Sequence, residues 1–385
     1  MMIKHCIIGA GVAGLFIALQ LQRMNQPFML LDQSPKPHTK LESTKPIEGQ
    51  ILEMGASVFH SHQYKLLWLI QKLGLYQQIR RLNPSNKEKI ICDLPSSKLC
   101  KQLFLILQNR LRQASQQPSN VLLTVEELAL RLLTPQEMEI LIDGWNCWFE
   151  NKDMNARIFF KSFDQEGEYL YLHGGLKQII KEGWRKFTNQ LHNINIVDIT
   201  QNENQTKFIL TSQDQQTIIC DHLYVCIGLE HLGAINWNEF QTSIQLYASL
   251  GATKSSMRYY LIFEEPFQVP MDYVVGRILG HWWIKETDQI WMIYTDGELA
   301  DELNELTDEQ IVSAFCQEMK EMFGVDCPKL KKQIRGYWPT AFEVLMPSYF
   351  TNYKMVKQQL PFLITSLPLP EDQAWMNGHL YPILK

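Results

Sequence analysis

The sequence predicts an α/β fold in which one domain is inserted into another. The chain has 385 residues, whereas an average domain has roughly 150. Near the N-terminus, two β-prone runs flank a glycine-rich turn and a helical pattern, which is typical of a βαβ unit. Residues 61–169 carry apolar side chains at helical spacing, with a helix start at Thr134-Pro135. Residues 236–334 add β-rich runs and a capping-box helix start at Thr307, which together predict an inserted α+β domain.

A strand, a glycine loop, a helix and a second strand follow one another at the N-terminus. Their order is Lys4–Ile8, Gly9-Ala10-Gly11-Val12-Ala13-Gly14, Leu15–Met24, then Phe28–Leu31 ending at Asp32. Asp32 follows the last glycine by 18 residues, close to the spacing of about 20 at which a dinucleotide-binding fold places its ribose-binding acid. This order predicts a G-x-G-x-x-G dinucleotide site in a Rossmann-like domain.

Each glycine of the loop has its own physical task. Gly9 permits the tight turn out of the strand, Gly11 lets a pyrophosphate approach the backbone, and Gly14 lets the helix pack close to the sheet. The helix N-terminus offers N–H groups and a partial positive charge to phosphates, while Asp32 can accept hydrogen bonds from a ribose. A close-packed turn without a ligand is the alternative. The candidate contacts are Gly9, Ala10, Gly11, Val12, Ala13, Gly14, Asp32 and Gln33.

Several later segments resemble the flavin-containing amine oxidases, with local similarity to prenylcysteine oxidases. Gly49–His60 looks like the second FAD segment of the amine oxidases, and Glu53–Ser61 is also similar to the matching segment of prenylcysteine oxidases. His173-Gly174-Gly175-Leu176 looks like the Gly-Gly motif of the amine oxidases. Trp338 with Tyr349 is similar to their late Trp…Ser-Tyr segment, and Trp375-Met376-Asn377-Gly378 to their Trp-Met-Glu-Gly segment. Because candidate nucleotide contacts thus recur far along the chain, FAD is favoured over NAD as the dinucleotide.

The resemblance implies a particular division of the chain. A discontinuous FAD-binding domain would be formed by residues 1–60, 170–235 and 335–385. The substrate domain would be formed by residues 61–169 and 236–334, and a sheet with helices there would cover the flavin.

The resemblance also implies which further residues contact the cofactor. Ile194–Ile199 and Cys220–Ile227 are similar to a strand pair beside the adenine, with the backbone of Ile196 at the adenine edge. The implied contacts outside the glycine loop are Lys40, Gly55, Ala56, Ser57, Ile196, Ile227, Trp375 and Met376.

Three departures from the family pattern concern the cofactor and the chemistry. The family's Gly-Gly-Arg reads Pro37-His38-Thr39-Lys40, and its Phe-Ala-Gly-Glu reads Phe362-Leu363-Ile364-Thr365-Ser366. The position of the active-site lysine carries Arg258, and Lys254 is the nearest lysine. These departures favour a homologue that binds FAD weakly or has lost catalysis.

Arg258, Tyr349 and Trp375 are the candidate catalytic residues. An amine must be neutral to lose hydride, so an aromatic cage of Tyr349 and Trp375 would favour the reactive form; the alternative is that both are core aromatics. Arginine stays protonated, so Arg258 would hold a substrate carboxylate or stabilise negative charge on the reduced flavin. The alternative is a strand arginine that is paired with Glu264 or solvated. His60 would face the substrate or be a structural histidine whose hydrogen bonds are satisfied within the fold.

Composition and charge exclude other classes of protein. The chain is 45% hydrophobic, and 36 basic residues stand against 41 acidic ones for a net charge of −5, which argues against a nucleic-acid partner. No run of 18 apolar residues predicts a membrane span. The eight cysteines form no C-x-x-C pair, so we expect reduced thiols in the cytoplasm, no disulfides and no metal site.

The resemblance implies an FAD-dependent oxidoreductase of the amine-oxidase type. Hydride would pass from a small amine or amino acid to the N5 atom of the flavin, with oxygen as acceptor. Two alternatives stay open: a non-catalytic or weakly FAD-binding homologue that serves as a binding or assembly module, and a flavin enzyme with a thioether or NAD(P)H donor.

Overall fold

The computed structural model describes residues 2–37, 40–82, 97–144, 148–163, 168–269, 273–274 and 282–368. The chain divides into two compact units. Unit 1 contains Met1–Leu82, Lys161–Thr253 and Glu343–Lys385, and unit 2 contains Asn83–Phe160 and Lys254–Phe342. No helix in the described ranges has the length and apolar character that crossing a membrane requires.

The first half of the chain is mainly helical. The elements are β1 (Met2–Ile8), α1 (Val12–Arg23), β2 (Phe28–Asp32), β3 (Phe59–His60), α2 (Tyr64–Lys72), β4 (Ile79–Arg81), α3 (Ser97–Ser115), α4 (Val125–Leu132), α5 (Pro135–Gly144), α6 (Trp148–Asn151), α7 (Ala156–Phe163), β5 (Tyr169–Leu172) and α8 (Lys177–Lys186).

Strands dominate the second half. The elements are β6 (Leu191–Asn193), β7 (Ile196–Gln201), β8 (Phe208–Ser212), β9 (Thr217–Val225), α9 (Gln241–Ala248), β10 (Gly251–Phe263), β11 (Tyr273–Val274), β12 (Trp282–Thr287), β13 (Ile290–Asp296), α10 (Glu298–Glu305), α11 (Asp308–Phe323), β14 (Leu330–Leu345), α12 (Ser348–Gln359) and β15 (Leu363–Ile364).

The main sheet of unit 1 has the order β6-β2-β1-β9-β8-β7, and β15 pairs with β9. β1 lies parallel to both β2 and β9, and its last four residues are buried, as expected of a strand with both faces covered. One implied pairing is wrong. The strand formed within Ile194–Ile199 does not pair with the strand formed within Cys220–Ile227, because β8 lies between them and pairs with both.

Helices α1 and α8 pack against each other beside this sheet. Leu15 of α1 is fully buried, and a Cβ on Gly183 of α8 would lie 2.4 Å from its Cδ1 atom. The indole N–H of Trp184 donates to the carbonyl oxygen of Ala10 at 2.9 Å. Glycine at position 183 therefore lets α8 come close enough to fix the glycine loop.

The sheet of unit 2 has the order β11-β12-β13-β10-β14. Its core cluster includes the aromatic rings of Phe263, Trp291 and Phe315. The helix starts indicated by the sequence are confirmed. The hydroxyl oxygens of Thr134 and Thr307 each accept the N–H of the residue three positions later, at 3.3 Å. The side chain of that later residue accepts the N–H of the threonine at 2.8 Å.

Candidate cofactor site

The glycine loop sits at the carboxyl end of β1 and is shaped by close backbone contacts. Gly9 has a φ of 95°, and its N–H donates to the carbonyl of Leu31 at 2.7 Å. A Cβ on Gly9 would lie 2.3 Å from the carbonyl oxygen of Cys226, and a Cβ on Gly14 would lie 1.9 Å from that of Gly9. The fold itself therefore requires glycine at both positions, whether or not a ligand binds.

The N-terminus of α1 has free hydrogen-bond donors. Gly11 is the N-cap with extended backbone (φ −75°), makes no side-chain cap, and no acidic residue lies in the first turn. The first amide that bonds within the helix is that of Leu15, to the carbonyl of Gly11 at 2.9 Å. Among the described residues, no group accepts from the amides of Val12 and Ala13. These two half-buried N–H groups and the helix dipole form an anion-binding position.

Asp32 ties the end of β2 to this loop. One carboxylate oxygen accepts the N–H of Ala10 at 2.8 Å, and the other accepts that of Ser34 at 2.9 Å. An ionised carboxylate accepts hydrogen bonds from backbone N–H groups and equally from hydroxyl groups. The carbonyl of Asp32 accepts the N–H of Ile194 at 2.9 Å, which brings the start of β7 close by. Gln33 is exposed beside it.

Glu53 connects the second predicted segment to the Gly-Gly motif. Its carboxylate accepts the N–H of Leu176 at 2.6 Å and the hydroxyl proton of Ser43 at 2.6 Å. Leu176 is the N-cap of α8, where a negative charge is favourable. Gly175 has a φ of 89°, and a Cβ there would lie 2.5 Å from the Ser43 hydroxyl. The Gly-Gly motif thus serves a close contact between segments far apart in sequence.

Lys40 lies against the Gly55-Ala56-Ser57 segment. The N–H of Ala56 donates to the Lys40 carbonyl at 3.2 Å, and a Cβ on Gly55 would lie 1.9 Å from the same oxygen. Ser57 is half-buried. The Lys40 ammonium lies 2.9 Å from a carboxylate oxygen of Glu343, whose side chain is only 4% exposed, and 3.6 Å from one of Glu230. Two carboxylates therefore balance the charge expected to meet the cofactor.

Ile227 and Ser366 lie next to the glycine loop. A Cβ on Gly9 would approach the Ile227 methyl to 3.1 Å, and the Ser366 hydroxyl donates to the Ile227 carbonyl at 2.7 Å. The N–H of Thr365 donates to the carbonyl of Val225 at 2.9 Å. The segment that replaces Phe-Ala-Gly-Glu therefore lies parallel to β9 and pairs with it as far as the loop. Ile196, the first residue of β7, is buried opposite Ser212.

Arg258 lies in β10 of unit 2, half-buried and opposite Tyr294 of β13. Its guanidinium carbon lies 5.1 Å from the centroid of the Tyr294 ring, within cation–π range. Glu264, the partner suggested by the sequence, lies 2.7 Å from the ammonium of Lys329. Lys254 forms an ion pair with Asp153.

Tyr349 lies in the first turn of α12 in unit 1 and is 6% exposed. Its ring stacks on that of Tyr353 with centroids 4.4 Å apart, and the Lys357 ammonium lies 5.6 Å from the centroid of the Tyr353 ring. Trp375, the second member of the expected aromatic pair, and Met376 lie outside the described residues.

A match to a protein-family model identifies the class to which this protein belongs. The model of the flavin-containing amine oxidoreductases matches residues 12–366. The chain belongs to the flavin-containing amine oxidoreductase family. This membership confirms the family resemblance found in the sequence. It also confirms that the protein is an oxidoreductase and that its cofactor is FAD.

Solved structures of amine oxidases share the fold. A double mutant of putrescine oxidase from a redesign of cofactor binding gives a TM-score of 0.80 at 12% identity, with 98% of this chain and 96% of that chain covered. Wild-type putrescine oxidase bound to putrescine gives 0.78, and cyclohexylamine oxidase from Brevibacterium oxydans 0.76, both at 12% identity over the same shares. No curated protein sequence matches the chain. The predicted α/β fold class is confirmed.

The donor set of the glycine loop fits the flavin dinucleotide of this family. The amides of Val12 and Ala13 and the positive helix end suit a diphosphate. The carboxylate of Asp32, which lies beside the loop, is an acceptor that suits ribose hydroxyls. Lys40 fits less well, since Glu343 and Glu230 already balance its charge.

A buried polar side chain at the start of α2 is not predicted by the sequence. Gln63 is fully buried, and neither its amide oxygen nor its nitrogen has a hydrogen-bond partner among the described residues. His60, which the sequence did single out, is buried; its ring stacks on that of His62 with centroids 4.9 Å apart and is tilted against that of Tyr169 with centroids 4.1 Å apart. An unbonded buried amide costs about 1–3 kcal/mol, so bound water or ligand atoms are expected beside Gln63. In the sequence, the only signal is that Gln63 follows soon after the Gly55-Ala56 pair.

Proposed function

We propose that the chain is an FAD-dependent oxidase of small primary amines. The amine would lose a hydride and a proton to become an imine, and oxygen would take up both electrons and two protons as hydrogen peroxide. The observation that carries the proposal is the pair of free N–H groups at the start of α1 beside Asp32. Within this family, such a donor set supports a bound flavin nucleotide. The amines named for putrescine oxidase and cyclohexylamine oxidase support the substrate class.

The roles of the residues follow from their chemistry. The amides of Val12 and Ala13 would hold the diphosphate, Asp32 would accept the ribose hydroxyls, and the backbone at Ile196 would meet the adenine. The flavin, when bound, supplies the hydride acceptor. The chain contributes binding, orientation and exclusion of water, for which the buried ring of Tyr349, stacked on the half-buried ring of Tyr353, is suited.

An amino acid is the second donor class within the same reaction. Arg258 supports it, because a permanently charged guanidinium with five N–H donors suits a carboxylate. The half-buried stack on Tyr294 would hold the guanidinium in one orientation.

A weakly binding or non-catalytic homologue is the second candidate function. The ion pairs of Lys40 favour it, since a lysine balanced by two carboxylates contributes less to a phosphate than a free cation. The replacement of Gly-Glu by Thr365-Ser366 favours it as well, because the Ser366 hydroxyl donates to the Ile227 carbonyl.

The absorption spectrum of the purified protein separates the candidates. We expect a yellow protein after incubation with FAD, whose flavin bleaches under anaerobic conditions with putrescine or cyclohexylamine and recovers in air with release of peroxide. A Gly11→Val variant, which should stay colourless, is the matched control. A yellow protein that no amine bleaches points to another donor, and a wild-type protein that remains colourless with excess FAD supports the non-catalytic homologue.

A further inference from the structure

A surface groove in unit 2 brings two thiols together. Cys316 lies on α11, and Cys327 lies in the segment between α11 and β14. Both line a groove of about 470 Å³ together with Val312, Lys320 and Asp326. Each cysteine is partly exposed and free, and the two side chains are hydrogen-bonded to each other. The sulfur atoms are thus in contact and within reach of small solutes.

An exposed ion pair connects helix α11 to the segment that contains Cys327. The ammonium of Lys320, one helical turn after Cys316, lies 2.7 Å from a carboxylate oxygen of Asp326, the residue before Cys327. The neighbouring apolar side chains of α11 pack into the core cluster of unit 2. Val325 and Cys327 of the segment before β14 pack on the same cluster, so the helix and this segment share one core.

We propose that Cys316 and Cys327 are an oxidisable dithiol that hydrogen peroxide converts into a disulfide. The Cys316 sulfur attacks one peroxide oxygen, the O–O bond breaks, and a sulfenic acid and water form. The Cys327 sulfur then attacks the sulfenic sulfur, which forms the S–S bond and releases a second water molecule. Two thiols lose two electrons and two protons, and one peroxide takes them up. The inference does not rest on amine oxidation, since the peroxide is added in the test.

The direction of attack follows from the hydrogen bond between the thiols. The hydrogen bond between the two thiols lowers the pKa of Cys316 and raises that of Cys327. The thiolate is the nucleophile, so Cys316 reacts first and Cys327 resolves the sulfenic acid.

Unit 1 contains a matched control in the same chain. Cys6 and Cys220 are also hydrogen-bonded to each other, but both are fully buried in the main sheet. Both pairs are joined by a hydrogen bond, but Cys6 and Cys220 are shielded from solvent whereas Cys316 and Cys327 are partly exposed. The proposal therefore predicts oxidation of one pair and protection of the other.

The test uses the full-length, FAD-loaded protein, first reduced and then treated with a small molar excess of hydrogen peroxide. Free thiols are alkylated, and the protein is digested without reductant for peptide mapping. We expect the intact mass to fall by two hydrogen atoms, one cross-linked peptide pair containing Cys316 and Cys327, and alkylated Cys6 and Cys220 after denaturation. The melting temperature should rise by roughly 3–6 °C, because the cross-link restricts the unfolded chain, and a thiol reductant should reverse the rise.

The Cys316→Ser and Cys327→Ser variants provide the second measurement. Neither should form the cross-link or show the rise in melting temperature. Cys327→Ser should accumulate sulfenic acid at Cys316, which a dimedone probe detects, whereas Cys316→Ser should not label at Cys327. Alkylation of both cysteines after peroxide, a cross-link between two copies of the chain, or oxidation of Cys6 and Cys220 before the groove pair would each overturn the proposal.

Discussion

The carboxylate of Asp32 accepts the backbone N–H of Ala10 at 2.8 Å, so the acid after β2 and the glycine loop after β1 are directly joined. The same carboxylate accepts the N–H of Ser34 at 2.9 Å. Asp32 therefore stabilises the loop, and its carboxylate is of a type that accepts hydrogen bonds from ribose hydroxyls.

Replacing Asp32 with alanine should weaken FAD binding at least about tenfold. Hydrogen bonds to a charged group contribute about 1.5–3 kcal/mol each, and the variant loses those to the ribose together with those that fix Ala10 and Ser34. Flavin fluorescence titration measures the dissociation constant. Asp32→Asn, which keeps an acceptor oxygen but no charge, should fall between alanine and wild type. A change below about twofold for Asp32→Ala would remove Asp32 from the cofactor site.

Gly11→Val and Gly14→Ala should separate ligand binding from folding. The extended backbone of Gly11 (φ −75°) accommodates a branched residue, but the valine would occupy the space of the pyrophosphate, so FAD is lost while the apo protein stays folded. A Cβ on Gly14 would lie 1.9 Å from the Gly9 carbonyl oxygen, so Gly14→Ala should lower the melting temperature of the apo protein. Retention of flavin in Gly11→Val would contradict the phosphate role of this loop.

Lys40→Met should lower stability more than affinity for FAD. Its ammonium is 2.9 Å from Glu343, whose side chain is 4% exposed, and removal of the cation takes this ion pair away from a nearly buried carboxylate. Such a loss reaches about 3–5 kcal/mol for a fully buried pair, and a smaller value is expected because the Lys40 side chain is 35% exposed. Urea unfolding of the apo protein measures the change, and Glu343→Gln in the same chain should restore most of it. A large loss of FAD affinity at unchanged stability would instead make Lys40 a phosphate ligand.

His5 should make the stability of unit 1 depend on pH. Burial, and secondarily the charge of His222, lower the pKa of His5 below its ordinary 6.5. The unfolded chain then binds more protons than the folded one, so the stabilising effect is complete above 6.5 and is lost as pH falls through the lower folded value.

Urea unfolding at about pH 7.5 and about pH 5.5 tests this dependence. Wild type should lose more stability on acidification than His5→Gln. His222→Gln, which removes the neighbouring charge at an exposed position, should lie between them. Equal losses in all three proteins would mean that another group causes the pH dependence.

The local elements could be predicted from sequence, whereas several long-range contacts could not. The loop between Gly9 and Gly14 and the capped helix start at Thr307 follow rules that act within a few residues. The insertion of β8 between β7 and β9 and the burial of Gln63 depend on which distant segments pack together. No local pattern in the sequence encodes those neighbours.

The same limit applies to the candidate site. Asp32 could be found because its spacing from the loop is fixed by one helix and one strand. The carboxylates around Lys40 come from positions 230 and 343, far along the chain, so the balance of its charge was not visible in the sequence.

Arg258→Met separates an amino acid donor from an amine donor. Methionine keeps length and apolar bulk but removes five N–H donors. If the guanidinium over Tyr294 holds a substrate carboxylate, its loss leaves that charge unpaired, and the rate of flavin reduction by an amino acid should fall by about two orders of magnitude or more. The rate with the corresponding decarboxylated amine should barely change. Arg258→Lys, which keeps the charge but loses the planar fork, should recover part of the amino acid rate.

Anaerobic stopped-flow measurement of flavin bleaching with both donors decides between the roles of Arg258. Equal losses with both donors would indicate that Arg258 positions the flavin or the sheet rather than the carboxylate. Unchanged rates with both would leave Arg258 as a strand residue that packs on Tyr294 at 5.1 Å. The bound flavin, quantified in each variant, is the control, because a rate lost together with the cofactor says nothing about the donor.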